Sequence, residues 1–523
     1  MIGEAQGLPE ARKAELRAAG LKIGGAALVA AGLFALYSHE VKVEQQVTDL
    51  LAGTRIAGGR AGGARAELNK DTPRGWLAAE DALQKALILQ PSNPYAVAAN
   101  ADVEVLLAGA GMADRAPKAE DAVARAEARD EALPERYEAR ALQLIAQGKA
   151  GEAETYLLAL LTKYGSVPRL MDALGRAQRA SGKPVEARAS FKKAQDADWR
   201  APRFIADYAQ SLYEDGNALE AAQAFDRALQ ANSDHSRSQL GKARALVALT
   251  QLGRGGGDLK AAHALCDAVL AKPAQELPPR LKSSALAARA EARLAEGDAA
   301  AAAQDADAAV QADPRFAAGL RAQALVAAAR KSQDAPVLFK AALAVDPYDA
   351  STYFDGAAAL AAAGNSAAAE KLLGAYAATL PRTARYHLAL AQVLARREAW
   401  KDAQAELAKA QQLEPTNAQV YFEQGRLAQS QRDAKAAAAA YEHAAQLRDD
   451  FPEVYRQMGG LYLESRNVDQ AIKVFNEALA RYKAARAPPT VLESFYSDVL
   501  AQVSRAGKKK LAEAWVKEAR ALH

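Results

Sequence analysis

The chain is short of the residues from which most chemistry is built. It has one cysteine, Cys266, in 523 residues, which excludes an intrachain disulfide framework. Cys266 lies in an Ala/Leu stretch and reads as a small buried thiol. Six histidines, His39, His235, His263, His387, His443 and His523, are scattered. No two have metal-ligand spacing, and neither His-Glu-x-x-His nor Cys-x-x-Cys occurs. A Gly-x-Ser-x-Gly elbow is also missing. Carboxylates are plentiful, but on solvated helix faces paired carboxylates are ordinary. The expectation is a protein that is not an enzyme, with no cofactor, no metal and no small-molecule substrate. Charge of one sign is lacking too: 67 basic against 63 acidic side chains leave a net +4. The signs are mixed almost everywhere, which argues against a nucleic-acid binder. Aromatics are only 6%. Much of the apolar half of the chain is alanine, the best helix former, so the fold class expected is all-α. The length exceeds one compact core.

Long hydrophobic runs are scarce as well. One stands out, Ile23 to Tyr37, fifteen residues without a charge. It is shorter than the roughly 20 residues that span a bilayer, but Leu21, Ser38 and a snorkelling Lys22 extend it. A cleaved signal peptide fits poorly, because the preceding segment is long and carries Glu4, Glu10 and Glu15. Residues 23–38 are therefore read as a retained transmembrane helix. Arg12, Lys13, Arg17 and Lys22 precede it, whereas only Lys42 and Arg55 follow closely, which places residues 1–22 in the cytoplasm and the bulk of the chain outside. The Ala- and Arg-rich composition hints at a bacterium of high genomic GC, so the expected location is a bacterial inner membrane with a periplasmic domain. Residues 39–75 read as a juxtamembrane helix and a glycine-rich linker. Their glycines make no phosphate loop, since no strand precedes them and no Gly-Lys-Ser/Thr follows.

What the chain has in quantity is a repeat of 34 residues. Gly148, Gly182 and Gly216 follow it. Ala153, Ala187 and Ala221 lie five residues on, and Leu157, Phe191 and Phe225 four further. A second block keeps the register through Ala335, Ala369, Ala403, Ala437 and Ala471. Phe339, Leu373, Leu407, Tyr441 and Phe475 follow, then Ala342, Tyr376, Ala410, Ala444 and Ala478. Pro314, Pro347, Pro381 and Pro415 close units. Small residues sit where two helices cross closely, the large residue fills the space beside them, proline stops the second helix, and glycine permits a left-handed turn between the two.

The pattern resembles the tetratricopeptide repeat family. Tyr455, Met458, Gly459 and Tyr462 stand at the family's first-helix positions, as do Leu174 and Gly175, and Tyr421 and Gly425. The resemblance covers about residues 75 to 523. It implies a right-handed superhelical solenoid of about eleven to twelve helix pairs behind the N-terminal transmembrane helix. Insertions around Gln251–Asp258 and AQELPPR suggest an N-terminal sub-array over 76–273 and a C-terminal one over 280–523. The resemblance also implies a groove lined by the second, fifth, ninth and twelfth residues of each first helix. In two neighbouring units these are Arg169, Asp172, Arg176 and Arg179, then Arg203, Ala206, Gln210 and Tyr213, a basic stretch suited to an acidic peptide. Further on, Ser351 and Phe354, Arg385 and Leu388, then Gln419, Phe422, Arg426 and Gln429 make a more apolar stretch. No asparagine stands at the ninth positions placed, which argues against a chaperone-tail clamp. The function expected is a non-catalytic scaffold that holds partner proteins or peptides of an envelope complex. The alternative is a periplasmic holdase for unfolded clients.

Overall fold

The structure is a computed structural model, and it describes residues 55–56, 59–60, 63–129, 131–251, 257–448, 451–484, 489–505 and 509–520. The proposed membrane helix at 23–38 and the juxtamembrane helix lie outside the described residues. Among the described residues no helix is long and apolar enough to cross a membrane.

Apart from a two-residue antiparallel ladder, Arg55–Ile56 with Gly59–Arg60, the described chain is helical. Its helices stack as thirteen antiparallel pairs among the described residues, from Ala64–Leu68 with Pro73–Leu89 to Pro489–Arg505 with Lys509–Arg520. The sequence register yields about eleven to twelve. The difference lies partly at the start: the first helix of the first pair has five residues, Ala64–Leu68, too few to show a period. The C-terminal end of the expected linker is thus structured. Ala64 and Leu68 pack in one core with Trp76, Leu83 and Val103.

The repeat positions do what their spacing predicts. Ala153, Ala221, Ala335, Ala403 and Ala437 are fully buried, as are Leu157, Phe339 and Tyr441. The helices Ala335–Val345 and Trp400–Leu413 stop at caps directly before Pro347 and Pro415. Gly148, Gly182 and Gly216 have φ of +76°, +74° and +90°. Later repeats make the same left-handed turn without glycine, at Lys331, Glu398, Arg432 and Arg466. The core is continuous across the suggested boundary near 273–280. Leu240, Cys266, Ala285 and Ala292 share one cluster, and only a short 3-10 turn, Ala274–Glu276, intervenes.

The stack coils until it meets itself. Asn232 reaches the Lys70 carbonyl, 162 residues away. Arg280 donates to the carbonyls of Ala110 (backbone N–H, 3.1 Å) and Gly109 (guanidinium, 2.7 Å). Arg179 pairs with Asp346 at 3.6 Å. Tyr348 covers Gly182 so closely that a Cβ there would lie 2.7 Å from the ring. Arg385 donates to the Glu214 carbonyl, 171 residues away. Each span is near five repeats, so one turn of the superhelix holds about five helix pairs and successive turns touch.

Candidate functional site

The first helix of each pair faces inward, and its second, fifth and ninth residues meet those of the next pair. Between residues 94 and 251 these positions carry alternating charge, and the side chains consume one another. Arg169 sits 2.7 Å from Asp102 and 2.6 Å from Glu138. Arg203 bridges Glu138 and Asp172, the latter at 3.0 Å. Arg176 lies 3.2 Å from Asp172 and 2.6 Å from Asp207. Arg237 pairs with Asp207 and with Asp71. Asp102, Glu138 and Asp172 are fully buried. The result is a ladder of ions in which each guanidinium is shared between two carboxylates, mostly of nearby repeats, with Asp71 reaching Arg237 from one superhelical turn away.

Charge balance in this ladder is uneven, and the acids respond. Burial, reinforced by Glu138, pushes the Asp102 carboxyl up to about 8. Burial and the neighbouring Asp207 push Asp172 up to about 7. One oxygen of each, Oδ1, is buried without a hydrogen-bond partner among the described residues. For Glu138, burial acts upward, but Arg203, Arg169 and Arg176 outweigh it and hold the carboxyl below its ordinary range. In Asp207 burial is likewise overcome, by Arg176, Arg237 and Arg203. The ladder therefore favours the protonated form of Asp102 and Asp172 and the charged form of Glu138 and Asp207.

A second cluster continues the axis. Arg321, 1% exposed, bonds Glu291 at 2.5 Å, and Arg244 reaches the other oxygen of Glu291 at 3.3 Å. The Arg244 guanidinium lies 4.8 Å over the Tyr213 ring, and that of Arg385 lies 4.3 Å over Phe354.

These contacts decide where the expected groove residues stand. The structure brings Arg169, Arg176 and Arg203 together, but paired with buried acids, so the donors of the basic stretch are already engaged. Arg179 is spent on Glu214 and Asp346. Tyr213, Phe354 and Phe422 are 8%, 6% and 5% exposed. Their rings fold into the helix junctions, Phe422 against Tyr441 and Phe451, so the apolar stretch offers no ring to a ligand. Position in a helix predicts the face but not how deep the side chain sits. Arg426 is different: it pairs with Glu423 at 3.1 Å, yet its side chain is 51% exposed. Asp71, His235, Arg237 and Arg321 were not anticipated. Asp71 and His235 are 164 residues apart, and no local pattern links them.

Other histidines have local partners. His387 meets Glu406 at 2.6 Å, and the His263 ring lies 3.0 Å from Glu296. Among the described residues no group of three His, Cys, Asp or Glu has metal-site geometry. Burial raises the Cys266 thiol to about 12, which leaves it inert.

One geometric signature recurs in the array. In three pairs the eighth residue of the first helix is a glycine against an aromatic ring of the second helix. A Cβ would lie 2.6 Å from Phe191 at Gly175, 2.5 Å from Tyr441 at Gly425 and 2.4 Å from Phe475 at Gly459. In this packing the repeat resembles the tetratricopeptide type. Among solved structures, the chain is similar in its arrangement of helices to the Cut9–Hcn1 hetero-tetramer of APC/C. The match has 16% identity and a TM-score of 0.39, covering 86% of this chain and 90% of that one. Yeast Tom70 matches at 14% identity and a TM-score of 0.36, over 74% and 96%. Likenesses this loose carry no residue and no partner across. No family model matches the chain, and no curated protein does.

Proposed function

We propose that this protein is a non-catalytic scaffold, held at a bacterial inner membrane by residues 23–38, that collects partner proteins on the inner face of its periplasmic superhelix. The observation that carries the reading is that Arg426 keeps an exposed guanidinium on that face, where most of the other arginines are buried in ion pairs. Arg203 and Arg321 are 8% and 1% exposed at the side chain, whereas Arg426 is 51% exposed. The turn-to-turn contacts described above run as far as Arg385. The helix Ala418–Ser430 then presents Arg426 and Gln429 beyond them. A repeat array of this kind offers a long surface whose curvature follows from the small rotation per repeat, and a partner segment lies along it. The membrane segment supports tethering through its uncharged run and the Lys/Arg bias before it.

Cross-linking pull-down from membranes tests the scaffold. The expected result is one stoichiometric partner that is lost with Arg426→Glu; recovery of only assorted unfolded proteins contradicts it. Protease access in intact spheroplasts tests topology, and a fully protected repeat domain reverses the orientation.

A further inference from the structure

The stretch of inner face that suits a carboxylate already holds one, Asp71, and it comes from this chain. The turn 69–72 between the first two helices reaches across to repeats one superhelical turn away. Asn69 Oδ1 accepts from Arg169 Nη2 at 3.3 Å. The Lys70 carbonyl accepts from Asn232 Nδ2 at 2.9 Å. Asp71 Oδ2 receives both His235 Nε2 at 3.2 Å and Arg237 Nη1 at 3.4 Å. His235 is fully buried, and its Nδ1 lies 2.7 Å from the Ser238 hydroxyl. The helix Ser236–Gln251 starts at this point, so its positive end also faces the carboxylate.

The cradle is built around a buried carboxylate. Asp71 is 4% exposed, and burial opposes its charge. The bond from His235 and the nearby charges of Arg237 and Arg203 overcome that and hold the carboxyl well below the usual range. Asp71 has φ +50°, in the left-handed region that aspartate tolerates better than most residues, and this turn brings its carboxylate to His235 and Arg237.

We propose that residues 69–72 are a built-in plug in a carboxylate-binding cradle formed by Asn232, His235 and Arg237, and that an acidic segment of a partner enters by displacing it. The inference rests on the scaffold reading and gives that surface a ligand chemistry and a gate. An intramolecular plug competes at an effective concentration of about millimolar. An outside segment therefore binds the intact chain weakly and gains when the plug loses its carboxylate.

The test uses the full chain and a fluorescein-labelled peptide copying residues 66–75, followed by anisotropy. Asp71→Ala is expected to bind the peptide at least tenfold more tightly than the unaltered chain. Adding Arg237→Ala, or replacing the aspartate of the peptide by asparagine, is expected to abolish the gain. No gain in Asp71→Ala with helical content unchanged by circular dichroism overturns the plug. If that variant fails to fold, hydrogen exchange on the unaltered chain decides. Saturating peptide should speed exchange at residues 69–72, and unchanged exchange overturns the proposal. A lost gain with the partner still captured in pull-down sinks the plug alone. A gain with no partner captured supports the cradle and sinks the scaffold.

Discussion

Removing Arg203 is the sharpest probe of the axial ladder. Its guanidinium touches Glu138 and Asp172, both fully buried, and its own side chain is 8% exposed. Arg203→Ala leaves two acids in the interior without it, the circumstance in which breaking a buried ion pair costs about 3–5 kcal/mol. Local relief sets where in that range the effect falls. Glu138 keeps Arg169 at 2.6 Å. Asp172, already pushed up to about 7, escapes by taking a proton. The expected loss is thus about 3 kcal/mol at pH 5. It is larger at pH 8, by about 1 kcal/mol, because protonating Asp172 there works against the solution. Urea unfolding at both pH values, followed by circular dichroism, reads the total. Long arrays lose cooperativity, so hydrogen exchange over the helices Pro134–Ala146 and Pro168–Ala180 should show where the loss falls. A loss below about 1 kcal/mol, independent of pH, is what an exposed ion pair gives and would refute the reasoning.

Three further outcomes follow from the same contacts. Asp102 and Asp172 sit above their ordinary carboxyl values, so the folded chain keeps protons that the unfolded chain releases. Their contribution to stability is full below the ordinary carboxyl value of 3.8 and is lost as pH rises toward about 8, the value to which Asp102 is pushed; thermal unfolding that is flat or rising with pH over that window contradicts this. Gly425→Ala drives a Cβ to 2.5 Å from the Tyr441 ring and should destabilise by about 1–3 kcal/mol, measured by urea midpoint, whereas a neutral effect would mean the helix pair yields. Arg432 holds φ +62°, and Arg432→Gly should raise stability by up to about 1 kcal/mol, relief of the left-handed strain outweighing the added chain entropy; a lower melting temperature counts against it.

Much of the fold was legible because the repeat is dense and local. A 34-residue register places Ala187, Phe191 and Gly182 without any structure, since helix crossing, filling and turning are decided within one pair. The same logic accounts for Pro314, Pro347, Pro381 and Pro415 after the second helices of four units. It did not anticipate Lys331 or Glu398 in left-handed turns, because there tertiary packing overrides the preference for glycine. Closure was invisible for a different reason. The rotation per repeat is small, and whether five repeats bring Glu214 back to Arg385 depends on its accumulated value. The groove arginines were placed on the correct face, but their neutralisation needed the partners Asp102, Glu138 and Asp207 from adjacent repeats. Phe354 and Phe422 were placed by position, and burial decided against them.

The central claim is that the array coils until successive turns touch. Arg74, 74% exposed at the side chain, lies 3.9 Å from Glu276 on the next turn, and Cys266 is buried and so does not compete for a thiol reagent. A short bismaleimide added to the Arg74→Cys, Glu276→Cys chain tests closure directly. The account predicts an efficient intramolecular cross-link, detected as one peptide pair by mass spectrometry and independent of protein concentration. Two singly modified cysteines without a link between them, in a chain that keeps its helical content, would contradict it.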